Sequence, residues 1–253
     1  MPTPFMHMAL AERLIHDPEL PEPEHALLRA NWGAFLLGSI APDARVSSGL
    51  ERGSTHFFEY QPKVDPPAVT AMLRRHAELQ RAAISDEARA AFVAGYAAHL
   101  AMDEIWCTDL LFPVFIHGGD WGDRAKKFLV LHALLAYLDL RDRQSLPESH
   151  YRQLAGAEPR GWLPFMDDNA LVVWRDTIAN QLAPDAESLT VEILSKRLSR
   201  PTEEFRAFVE DDTMMNELTW ANVPAAQVAA VEETMYTTTR DTVINYLLDG
   251  HNH

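Results

Sequence analysis

Gly95-Tyr96-Ala97-Ala98-His99-Leu100-Ala101-Met102-Asp103-Glu104-Ile105-Trp106 lies inside a long helical pattern that begins near Ser85. Ser85-Asp86-Glu87 opens that pattern with a capping side chain and then acids at the positive end of the helix dipole. His99 and Asp103 are four residues apart, so their side chains leave one face, one turn apart. Their neighbours on that face, Ala91, Phe92, Gly95, Tyr96 and Trp106, are small or apolar. An imidazole and a carboxylate set there are poorly solvated and need a partner to offset desolvation. A divalent metal satisfies both at once. A buried His–Asp hydrogen bond that only orients a core is the other reading of the pair.

Outward from this helix the same periodicity recurs. Thr3-Pro4 starts a helix over 4–16 that carries His7. A second helix is predicted over 22–38, with Gly38 as its C-cap, and a third from Asp65-Pro66-Pro67 to residue 83. The His99 helix continues toward Leu111 and stops at Pro113; His117-Gly118-Gly119-Asp120 reads as a turn. Residues 122–142 form an apolar helix in which His132 and Asp139, seven apart, share a face. Helices follow at 147–155, 168–182, 187–198, 202–218 and 225–248, with a solvated tail at 249–253. No alternating run bounded by turns predicts a strand, so the fold class is all-α. Residues 39–62 lack a helical period and contain His56-Phe57-Phe58-Glu59-Tyr60; they read as a long irregular loop, packed by its aromatics, that delivers Asp43 and His56. The whole, 1–253, reads as one all-α domain with a metal-site core over about 1–145 and a helical extension over about 146–250.

Among the 253 residues, 22 Lys and Arg against 37 Asp and Glu give a net charge of −15. So acidic a chain is not expected to bind nucleic acid or to associate stably with anionic membranes. One cysteine, Cys107, excludes an internal disulfide and a cysteine-rich zinc site, which leaves the eleven histidines and the carboxylates as ligands. Met1-Pro2-Thr3-Pro4-Phe5 lacks the features of a signal peptide, and the expected location is cytoplasmic. Oligomeric state is not legible.

The candidate ligands are His7, Asp43, His56, His99 and Asp103, followed by His117, His132 and Asp139. Leu37-Gly38-Ser39-Ile40-Ala41-Pro42-Asp43, Thr55-His56 and the Gly95–Asp103 stretch together resemble the zinc-dependent phospholipase C family. The resemblance covers about the first 110 residues and, loosely, the helix at His132. It implies an all-α fold with up to three zinc ions. It further implies one metal site of Asp43, His56, His99 and Asp103, with Asp103 bridging to a second metal that also uses His7. Secreted members ligate metal with a processed N-terminal Trp, which this chain lacks, and carry a later His-x-x-x-Glu pair. Here Ala136 stands four residues after His132, so the further site is either rebuilt from His117, His132 and Asp139 or absent. A His2Asp2 set suits zinc and would accept iron or manganese.

The expected function is hydrolysis of a small phosphoester or phospholipid-derived substrate by a metal-activated water, with Asp43 as ligand or proton acceptor. The alternative is a non-catalytic helical protein with a structural metal. A phosphohydrolase of the HD type needs adjacent His-Asp, and the one such pair, His16-Asp17, sits at a helix end beside Pro18. Glu59 and Glu104 are read as imidazole-orienting groups or surface acids. Trp32, Trp106, Trp121 and Cys107 are read as core, and His16, His25, His76 and His150 as surface or helix-edge residues.

Overall fold

The computed structural model describes residues 1–119 and 121–249, so Asp120 of the predicted turn and residues 250–253 of the predicted tail lie outside the described residues. The described chain is all-α, with no strand. Its α-helices are α1 (Pro4–Ile15), α2 (Glu22–Ala30), α3 (Trp32–Ile40), α4 (Arg45–Ser48), α5 (Arg52–His56), α6 (Ala68–Arg75), α7 (Glu87–Ile105), α8 (Arg124–Ser145), α9 (Ser149–Ala155), α10 (Asp168–Leu182), α11 (Thr190–Arg197), α12 (Thr202–Glu210), α13 (Asp212–Met214) and α14 (Ala225–Leu248).

The centre is α7. Asp86 caps it by accepting from the N–H groups of Ala88 and Arg89. Every residue from Ala90 to Asp103 is buried, as expected of a helix that is apolar nearly all round. It packs most heavily on α3 and α14, and α1 closes the group between α3 and α8. Val243, Tyr246 and Leu247 of α14 and Leu171 and Ile178 of α10 share one apolar core with Phe35, Leu36 and Phe92. Met102, Trp106 and Leu110 lead into a second core with Leu134 and Leu138 of α8, Leu194 of α11 and Phe205 of α12.

The crossing of α3 and α7 is unusually close. A Cβ on Gly95 would stand 2.2 Å from the carbonyl oxygen of Phe35, and one on Gly38 would stand 2.0 Å from that of Phe92. Each glycine lets the other helix's backbone approach where a side chain would otherwise stand. Gly38 is therefore a packing residue within α3 and not the predicted C-cap.

Other boundaries differ from the sequence expectation for local reasons. The helix predicted over 22–38 is two helices. Asn31 leaves helical geometry (φ −120°, ψ 34°), and its side-chain amide donates to the Leu27 carbonyl, a local bond that competes with the helix. The helix predicted to reach residue 83 ends at Arg75, where His76 turns out (φ −131°, ψ 77°) and 3₁₀ turns follow. The helix predicted over 202–218 breaks at Asp211, whose side chain caps the N–H groups of Thr213 and Met214. The stop expected at Pro113 is overridden. A π-helical stretch runs from Trp106 to Ile116, held by burial of Trp106, Cys107, Leu110 and Phe115. The segment predicted as one irregular loop contains a 3₁₀ turn, Ala41–Ala44, and the short helices α4 and α5.

Candidate metal centre

Three helices and one turn converge on a single point. His7 comes from the second turn of α1, Asp43 from the 3₁₀ turn after α3, His56 from the end of α5, and His99 and Asp103 from α7. His7, His56, His99 and Asp103 are buried; the Asp43 side chain keeps 28% of its surface exposed. Ligand-type atoms fall in two groups that share His99: His7, His99 and Asp103, and Asp43, His56 and His99, each within 4.8 Å. The His7 and His99 rings stack with centroids 3.8 Å apart.

Hydrogen bonds fix which nitrogen each imidazole presents. His99 Nδ1 donates to the Ser39 carbonyl at 2.9 Å, a bond that the close α3–α7 crossing makes possible. Thr55 Oγ1 lies 3.2 Å from the Arg52 carbonyl and 2.9 Å from His56 Nδ1. The hydroxyl has one proton and spends it on the carbonyl, so it accepts from His56 Nδ1–H. In their neutral forms both rings therefore turn an unprotonated Nε2 into the cluster. Those lone pairs face carboxylates: His56 Nε2 is 3.4 Å from Asp103 Oδ2 and 3.6 Å from Asp43 Oδ1, and His99 Nε2 is 3.8 Å from Asp103 Oδ2. His7 Nε2 is 3.5 Å from Asp103 Oδ1. The Nε2 atoms of His7 and His99 and Oδ1 of Asp103 are buried with no hydrogen-bond partner.

Lone pair against carboxylate in a buried space repels unless a cation stands between. Zinc bonds of about 2.0–2.1 Å in a tetrahedron place ligand atoms roughly 3.3 Å apart, close to the separations seen. The residues present fit a divalent metal. The charges agree. Burial pushes the His99 imidazolium down to about 3, helped by the like charge of His7. Burial pushes the Asp43 carboxyl up, but His56 and His99 outweigh it and hold the group at about 2. Burial likewise raises Asp103, and the three surrounding imidazoles overcome it, keeping the carboxyl well below the usual range.

The other three predicted ligands join neither group. His117 is exposed at the end of the π-helical stretch, its ring edge on Phe112. His132 is half-buried on α8, with Nδ1 bonded 2.7 Å from the carbonyl of Phe128 in its own helix. Asp139 is buried but accepts from Ser188 Oγ at 2.8 Å. The seven-residue spacing of His132 and Asp139 puts both on α8, but each side chain is bonded elsewhere, His132 within its own helix and Asp139 to Ser188.

Two expectations around the site are corrected. Glu104 orients no imidazole: its Oε2 accepts from the Ala68 N–H and so holds the start of α6, while Glu59 is exposed. His150, expected at the surface, is buried, with Nε2 3.0 Å from Glu12 Oε2.

Arg52 was not among the expected site residues. It precedes His56 by one turn of α5, and Nη2 donates to Asp103 Oδ2 at 3.0 Å while Nη1 donates to the Phe58 carbonyl at 3.1 Å. The guanidinium lies over the rings of Phe58 and Tyr60, 4.6 and 4.4 Å from their centroids. The i, i+4 spacing to His56 was the available signal, hidden because the segment lacks helical periodicity.

A cavity of about 350 Å³ opens onto Asp43, Arg52 and His56. The match to the family model described as zinc dependent phospholipase C runs over residues 6–118, from the start of α1 to the end of the π-helical stretch, and contains all five converging residues. Over those residues the chain is similar to the zinc-dependent phospholipase C family. No curated protein and no solved structure matches the chain. Zinc is the metal for which the family is named, and the donor set of imidazoles and carboxylates suits it. No described helix is long and apolar enough to cross a membrane.

Proposed function

We propose that this protein is a zinc-dependent phosphoesterase of the phospholipase C type. The observation that carries the reading is the set of three buried atoms without hydrogen bonds, His7 Nε2, His99 Nε2 and Asp103 Oδ1, meeting beside a cavity wide enough for a small ligand. His7, His56, His99, Asp103 and Asp43 would hold the metal. Zinc bound there supplies Lewis acidity toward a phosphoryl oxygen and a water acidic enough to attack near neutral pH.

The protein's own groups divide the remaining work. Asp43, the ligand-type carboxylate that lines the cavity, stays ionised to about pH 2. A carboxylate placed there can accept a hydrogen bond from the attacking water and aim it. Arg52, pinned by Asp103 and the two aromatic rings, turns a fixed positive charge toward the phosphoryl oxygens. The cavity beside Asp43 favours this reading over a purely structural metal.

Protein purified without chelators is expected to carry one to three zinc equivalents by elemental analysis and to hydrolyse a chromogenic phosphodiester. His99→Ala should lose metal and turnover together. Metal-free, fully folded protein that gains no metal on zinc addition would overturn the proposal.

A further inference from the structure

The cavity at the cluster has a charge opposite to that of the chain. Against a net charge of −15, its charged lining residues are Arg45, Arg52, Arg197 and a single carboxylate, Asp43. Arg52 is paired with Asp103, but among the described residues neither Arg45 nor Arg197 has a carboxylate partner, and Nε of Arg45 is buried with no hydrogen bond. Cations left unpaired in a strongly acidic protein mark a place for an external anion, and the planar guanidinium fork suits phosphate oxygens.

The same cavity is apolar at its mouth. Of the nine large apolar side chains exposed among the described residues, four line it: Val46, Tyr60, Leu189 and Ile193. Such clustering at one concavity marks a ligand surface. A quaternary ammonium head finds no holder there. Tyr60 already carries Arg52 on its ring, Trp174 spends its N–H on the Ile40 carbonyl, and the single carboxylate belongs to the metal cluster.

We propose that the site selects anionic amphiphiles: phosphate esters of net negative charge that carry an apolar chain, with Arg45 and Arg197 binding the anionic head and the Val46, Leu189 and Ile193 rim taking the chain. The proposal rests on the phosphoesterase reading for the use made of the site, yet binding tests it without turnover. Zinc-loaded protein is titrated calorimetrically with hexyl phosphate, hexylphosphocholine and inorganic phosphate. Hexyl phosphate should bind at least tenfold more tightly than either of the others. Arg45→Gln and Arg197→Gln, the latter at an exposed position that folding does not depend on, should each weaken hexyl phosphate roughly tenfold. Zinc content and hexylphosphocholine binding should stay unchanged. Hexylphosphocholine binding as tightly as hexyl phosphate, or arginine variants that keep the preference, would overturn the proposal. Inorganic phosphate equal to hexyl phosphate would refute the apolar half and make the ligand a small soluble phosphate. The hydrolase reading fails separately, if no phosphoester is cut by protein that binds these ligands as expected.

Discussion

Replacing Gly95 by alanine tests the link between helix packing and the metal cluster. The new Cβ would lie 2.2 Å from the Phe35 oxygen, 2.8 Å from the Ser39 nitrogen and 3.1 Å from the Gly38 carbonyl carbon, all backbone atoms of α3. Relieving the first contact to 3.0 Å alone requires the two helices to part by about 0.8 Å, and no side chain can rotate away instead. Overpacking of this kind costs about 3 kcal/mol, and a stretched His99–Ser39 hydrogen bond costs about 1 more. The better helix propensity of alanine returns about 1 kcal/mol. The net loss is about 3 kcal/mol, read as a fall of roughly 1 M in the urea midpoint for a protein of this size. Because Ser39 sets the tautomer of His99, zinc affinity should drop about 10- to 100-fold as well. Gly53→Ala is the control: its Cβ meets only the carboxylate tip of exposed Glu59, and it should stay within about 0.5 kcal/mol of wild type. A Gly95→Ala protein as stable as wild type, or more stable by the propensity gain alone, would show that the helices do not touch backbone to backbone and that His99 is oriented by something else.

Two further outcomes follow from buried polar groups away from the cavity mouth. Burial lowers the pKa of His150 below the ordinary histidine value, against the attraction of Glu12. A depressed folded pKa stabilises fully above about pH 6.5 and is lost as pH falls through that value toward the folded pKa. The stability difference between wild type and His150→Gln should therefore shrink between pH 7.5 and 5, by at most about 1.4 kcal/mol per pH unit, in paired urea titrations; a constant difference would mean that His150 is not held neutral. Tyr96→Phe removes the buried hydroxyl that donates to the Thr55 carbonyl at 2.6 Å and should destabilise by about 1–2 kcal/mol, with a weaker zinc affinity because Thr55 holds His56; unchanged stability and unchanged zinc binding would sever that chain of support.

Legibility followed periodicity. Helices α1, α10 and α14 stand at or within a residue of their sequence bounds because capping residues and a continuous apolar stripe agree there. His99 and Asp103 were legible for the same reason: a polar pair on an apolar face four residues apart is conspicuous. Asn31 was not, because a side-chain bond to the Leu27 carbonyl is a local event inside an otherwise continuous apolar pattern. Gly38 has two meanings in sequence, cap or contact, and only the partner helix decides between them. His117, His132 and Asp139 stand outside the converging groups although their residue types and spacings were suitable. Spacing defines a face of a helix, and tertiary packing decides what that face meets.

Arg52 sharpens the point, because it bears on how the cluster holds its charge. Asp103 faces three imidazoles and one guanidinium, and each imidazole whose tautomer can be assigned presents a lone pair and no proton. Among the described residues the one permanent positive charge paired with that carboxylate is Arg52, on the cavity side. Removing it by Arg52→Gln leaves Asp103 to metal alone, so the variant should retain zinc while losing phosphoryl turnover mainly in kcat. Loss of zinc together with turnover would instead make Arg52 a support of the ligand shell, and its place at the cavity wall would then be incidental.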